Sequence, residues 1–167
     1  MNCPSCGAPM RLKADMESFT CDYCKRVVLP EKNDDGVRVL GDPSGQDCPL
    51  CNIPLVHAVL AKNPIIYCTG CKGILIQMAM LEGLIEELRD ERGAGAAQAA
   101  PDKEDLRRKI NCPQCHHPMD AHFYAGPGNV VIDSCEDCSL IWLDSGELMR
   151  IVHAPDGSSP TGAGLGY

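Results

Sequence analysis

The chain has 167 residues, twelve cysteines and a formal net charge of −8. That acidity argues against a nucleic-acid binder held by a basic stripe, because phosphate contacts dominate such affinity. No apolar run approaches the ~20 residues of a membrane span, and the start Met-Asn-Cys-Pro lacks a basic region followed by an apolar segment, so a cytoplasmic protein with reduced thiols is expected.

All twelve cysteines fall in Cys-x-x-Cys pairs, and the pairs group into three quartets: Cys3, Cys6, Cys21, Cys24; Cys48, Cys51, Cys68, Cys71; and Cys112, Cys115, Cys135, Cys138. Each quartet opens Cys-Pro-x-Cys-x-x-Pro-apolar. Each continues, three positions after its last cysteine, into an apolar triplet: Val27-Val28-Leu29, Ile74-Leu75-Ile76 and Ile141-Trp142-Leu143. Repetition with the flanking residues in phase marks a tandem module. Two such pairs close a tetrahedron around one Zn²⁺, so three structural zinc ions held by the twelve cysteines are expected. Disulfides are one alternative, and iron as in a rubredoxin-like electron carrier is another, sharing the Cys-Pro-x-Cys knuckle although the spacing between pairs here is shorter than in that family. Modules this small need a metal staple, because they cannot bury enough apolar surface to fold alone. The expected fold is a small metal-stapled α+β protein of three tandem zinc ribbons with short antiparallel sheets, the second and third each followed by a short helix.

Module 1 spans residues 1–29, with strands expected over Met10–Lys13 and Glu17–Thr20 joined at Ala14–Met16. Lys25 and Arg26 follow its last cysteine and suit compensation of the thiolate charge or a phosphate contact. Residues 30–47 read as a linker with at most a short strand at Val37-Arg38-Val39-Leu40. Module 2, residues 48–92, ends in an amphipathic helix. Its apolar stripe is Leu81, Leu84, Ile85 and Leu88, with Met78 and Met80 extending it, and Glu82, Glu86, Glu87, Arg89 and Asp90 lie opposite. Residues 93–111 are an Ala/Gly-rich tether and a charged segment, in which Asp102 caps a turn or two of helix and Arg107-Arg108-Lys109 forms a solvated helix end. Module 3, residues 112–153, predicts a hairpin from Met119–Tyr124 and Val130–Ile132 around a turn at 126–129, then the strand Ile141–Leu143. A capping box of Asp144 and Glu147 starts a helix carrying Leu148, Ile151 and Val152. Residues 154–167 read as a disordered tail. Linkers on both sides of module 2 predict modules that fold independently.

The run Cys135-x-x-Cys138-Ser-Leu140-Ile-Trp142-Leu-Asp144-Ser-Gly146-Glu147-Leu148 resembles the signature of the transcription factor IIB-type zinc-ribbon family, small and mostly bacterial proteins, except that Leu140 stands where that family has glycine. Module 2 resembles a diverged copy, keeping Gly73 and Ile74 but carrying Leu75, Gln77 and Met80 where Trp, Asp and Glu would fall. Module 1 keeps only the cysteine framework. The resemblance implies cysteine ligands and a ribbon fold without implying an activity. Four thiolates leave no open coordination position, which argues against an enzyme, and His116, His117 and His122 read as surface residues.

Charge divides unevenly, with six cations against six acids in residues 1–41, four against seven in 42–100 and five against ten in 101–167. Twelve thiolates and three Zn²⁺ bring the total to −14. A protein-interaction adaptor linked to transcription machinery is therefore expected, its partner meeting the two helices and the Trp142 region. Nucleic-acid binding is the second reading, no membrane partner is expected, and the sequence leaves the oligomeric state open.

Overall fold

The computed structural model describes residues 1–14, 18–92, 106–125 and 129–154. The tether at 93–101, the cap at Asp102, most of the turn at 126–129 and the tail from 155 lie outside them. The described residues form a small α+β fold of two antiparallel sheets and two helices. In module 1 the strands β1 (Met10–Leu12), β2 (Phe19–Cys21) and β3 (Val27–Val28) form a three-stranded sheet in that order.

The second sheet has seven strands. These are β4 (Arg38–Asp47), β5 (Pro54–Leu60), β6 (Asn63–Tyr67), β7 (Ile74–Gln77), β8 (Asp120–Phe123), β9 (Val131–Cys135) and β10 (Leu140–Leu143), in the spatial order β4-β5-β6-β7-β10-β9-β8. Modules 2 and 3 are thus one sheet, which corrects the expectation of independent folding. The reason is the triplets themselves. An apolar third strand would present an unpaired edge in an isolated module, and here β7 and β10 satisfy each other, with Ile74 opposite Leu143, Leu75 opposite Trp142, Ile76 opposite Ile141 and Gln77 opposite Leu140. Alignment on the cysteines makes Leu75 the counterpart of Trp142, so counterparts meet and a local two-fold axis passes through this pair.

The supposed linker at 30–47 contains the ten-residue strand β4, an edge strand along β5. Its register shifts twice, on either side of Pro43. Gly41 and Gly45, at φ of 85° and 81°, supply the left-handed backbone that such bulges need.

Two helices cover one face of the seven-stranded sheet. Helix α1 (Met78–Arg92) leaves β7 directly, and α2 (Glu147–His153) follows β10. Leu81, Leu84, Ile85 and Leu88 of α1 and Leu148, Ile151 and Val152 of α2 are all buried, packed with Ile74, Ile76, Ile141 and Leu143. Arg89 was expected on the solvated face. It instead caps α2, donating to the carbonyls of Val152 at 3.2 Å, Ile151 at 3.0 Å and Ala154 at 3.3 Å, where a cation meets the negative end of the helix dipole.

The opposite face carries the second and third cysteine quartets, with Leu75, Leu140 and the fully buried Trp142 between them. Module 1 packs on the β4 edge of the sheet, where Phe19, with Met10 and Leu12, meets Leu40 and Val59.

Candidate metal centres

Every cysteine pair is presented by the same tight turn. The residue after the second cysteine is left-handed in all six: Gly7, Lys25, Asn52, Lys72, His116 and Ser139, at φ between 54° and 74°. In five of the six its N–H donates to the carbonyl of the first cysteine at 2.9 Å. Non-glycine residues pay a strain cost there, which a bound metal offsets by fixing both thiolates. The repeated prolines have a place too. Asn2 bridges Pro9, Asp47 bridges Pro54 and Asn111 bridges Pro118, closing the loop around the first pair of each quartet.

All twelve cysteines are free, so no disulfide forms among them. The four Sγ atoms of each quartet lie within 4.8 Å of one another. Contacts between the two pairs of a quartet are 3.5 Å for Cys3–Cys24 and Cys6–Cys21 and 3.6 Å for Cys48–Cys71 and Cys115–Cys135. A tetrahedron with Zn–S bonds of about 2.3 Å has edges of about 3.8 Å. Backbone N–H groups also point at sulfur, from Cys51 to Cys48 at 3.3 Å, Cys71 to Cys68 at 3.4 Å and Gln114 to Cys112 at 3.4 Å, which stabilises thiolate. The donor set therefore fits three structural zinc ions.

Protonation splits within a quartet. In module 1 the Ser5 backbone hydrogen bond holds the Cys3 thiol down at about 6, whereas Cys6, despite the pull of the Ala8 backbone, is pushed up to about 12 by burial and its neighbouring thiols. In module 3 the His117 backbone lowers Cys115 to about 7, and burial with the thiols of Cys115, Cys112 and Cys135 raises Cys138 to about 12. Burial likewise pushes Cys71 up. Four adjacent thiols cannot all ionise alone, and a dication removes that conflict.

Residues 111–154 match the family model described as transcription factor zinc-finger. The third module is a zinc ribbon of the transcription factor IIB type. No curated protein and no solved structure matches the chain. The signature residues of this ribbon turn out to be structural. The Trp142 indole donates to Asp144 Oδ1 at 2.8 Å, and Asp144 Oδ2 accepts from Arg108 at 2.5 Å. Glu147 reaches back to the Asp144 N–H at 2.7 Å, which is half of the expected capping box. The other half is absent, because Asp144 is engaged with Trp142 and Arg108 and the N-cap residue is Gly146.

Arg108 is not the solvated residue that its basic triplet suggested. It also pairs at 2.9 Å with Asp133, whose side chain is 4% exposed. Burial opposes its charge, but Asp144 and Asp133 outweigh that and raise its pKa above the ordinary value. His116 is one of the left-handed turn residues, His117 pairs with Asp137 at 3.2 Å beside Cys115, and His122 contacts Ser134 at 3.0 Å. All three are exposed, and none is needed as a ligand where four thiolates converge.

Sequence reasoning found Gly73 only as a match to the family pattern and missed its packing role. A Cβ there would lie 2.7 Å from Trp142 Cη2, 2.9 Å from Cε2 and closer still to Cζ2. Module 2 keeps glycine because module 3 supplies tryptophan above it. Module 3 has Leu140 at the counterpart position because module 2 supplies the smaller Leu75. The two departures from the ribbon signature compensate each other across the local two-fold. The signal was the paired exchange of Gly for Leu and Trp for Leu between modules.

Trp142 is 0% exposed and both helical stripes pack against the sheet. No helix among the described residues is long and apolar enough to cross a membrane.

Proposed function

We propose that the chain is a non-enzymatic, cytoplasmic zinc-ribbon adaptor in which modules 2 and 3 form a rigid double ribbon and module 1 is the part that meets a protein partner. One observation carries this reading. Of the six large apolar side chains exposed among the described residues, four belong to module 1: Met1, Tyr23, Val27 and Leu29. Closed thiolate quartets support a structural role for the metals, since they leave no position for water or substrate. The transcription factor zinc-finger match at 111–154 supports a partner in the transcription machinery.

A second reading has its own observation. Tyr23 is 83% exposed and is followed at once by Cys24, Lys25 and Arg26, an aromatic with cations that suits a single-stranded nucleic acid. Chemical cross-linking of the zinc-loaded chain in a cell extract, with and without nuclease, separates the two. Protein cross-links that survive nuclease and moderate salt are expected; adducts that vanish under both treatments would replace the adaptor with the nucleic-acid reading.

A further inference from the structure

Modules 2 and 3 cover the outer positions of their third strands with a helix from the same chain. Ile74, Ile76, Ile141 and Leu143 are all buried in one core with the stripes of α1 and α2. The counterparts in module 1 are Val27 and Leu29, and they are 44% and 59% exposed. Thr20, opposite Val27 in the register, and Arg11, opposite Thr20, complete this face of the small sheet. The other face, with Phe19, is the one packed on Leu40 and Val59. Module 1 therefore repeats a helix-receiving face, and among the described residues no helix lies on it.

Resting on the adaptor reading, we infer that this face receives an amphipathic helix from a partner protein, one whose apolar stripe is flanked by acids. The stripe replaces what Leu81, Leu84, Ile85 and Leu88 do for the sheet shared by modules 2 and 3. The acids follow from charge. Residues 1–29 hold four cations against three acids, which the four thiolates and Zn²⁺ bring to −1, the least acidic of the three modules, and Arg11, Lys13, Lys25 and Arg26 are all exposed. Arg11 pairs with Asp22 and Arg26 donates to Ser5 Oγ, both at the exposed surface, where such contacts exchange readily for a partner's carboxylates. An acidic amphipathic helix exists in this chain as a pattern for the probe, namely residues 78–92.

The test titrates a free peptide of sequence 78–92 into the full-length, zinc-loaded, isotope-labelled chain and follows backbone amide signals. The expected result is shifts centred on Thr20 and Val27 to Leu29. Val27→Ser with Leu29→Ser should weaken binding about tenfold or more, because both apolar contacts are lost. A peptide with its glutamates replaced by lysine should weaken it too. Zinc content of the variant establishes that module 1 remains folded, and Arg11→Glu with Lys25→Glu, which leaves the apolar residues in place, provides a second reading of the same surface.

Absence of shifts up to about 1 mM peptide overturns the inference. So does binding that is indifferent to Val27 and Leu29, and so does a homodimer that Leu29→Ser dissociates, which gives the face to a second copy. A single-stranded RNA oligonucleotide that binds at Tyr23 and Lys25 while the peptide does not would assign the surface to nucleic acid. Nuclease-resistant protein cross-links mapping away from module 1 would overturn the helix site and leave the adaptor standing; loss of all such cross-links would overturn the adaptor itself.

Discussion

Replacing Gly73 with alanine tests the seam between the two fused modules. The added Cβ falls against the indole of Trp142, 2.7 Å from Cη2 and 2.9 Å from Cε2, below any ordinary carbon contact. The ring has nowhere to retreat, being 0% exposed and held through Nε1 by Asp144 at 2.8 Å. Overpacking of a rigid core site costs about 1–3 kcal/mol, and the upper end applies where the neighbour is a fixed ring. Trp142→Leu alone should cost about 2–4 kcal/mol through the cavity it leaves. The double variant recreates the Leu140 and Leu75 side of the same axis, where a larger residue already faces a leucine. It should be less destabilised than the sum of the singles by at least about 1 kcal/mol. The assay is denaturant unfolding at constant free zinc, followed by far-ultraviolet circular dichroism, because Trp142 is the single tryptophan. A Gly73→Ala protein within about 0.5 kcal/mol of the parent, or strict additivity in the double variant, would refute the reasoning.

Arg108→Ala should destabilise module 3 by about 3 kcal/mol, less to the extent that the guanidinium is partly solvated, because it leaves the buried Asp133 carboxylate without its cation; thermal unfolding of the zinc-loaded chain measures it. Replacing Cys112 and Cys115 with serine should perturb the amide signals of β7 and α1 as well as those of module 3, since β10 carries one side of the shared sheet; signals of module 2 that stayed in place would mean that the modules fold apart. Zinc uptake near neutral pH should release protons, because Cys6 and Cys138, at about 12, must each lose one. Calorimetry in two buffers of different ionisation enthalpy counts them. Metal analysis should return three zinc ions per chain, and dilute chelator should strip module 1 first, where Cys6 and Cys24 are exposed while the outer cysteines of the other quartets are half-buried.

The sequence by itself determined the three quartets, the turns that present them and the amphipathic stripe of α1. Each rests on local spacing, and thiolates four residues or fewer apart have little freedom in how they meet a metal. It also showed the match of Cys135 to Leu148 to the ribbon signature. What it could not show was the pairing of Ile74-Leu75-Ile76 with Ile141-Trp142-Leu143. An apolar triplet reads the same whether its edge meets solvent, a partner or a strand of the same chain, and only the register across 67 residues distinguishes them. That long-range pairing buried Trp142 and both helical stripes. It placed Arg108 between Asp133 and Asp144, and it left module 1, which has no helix of its own among the described residues, as the apolar face still open to solvent.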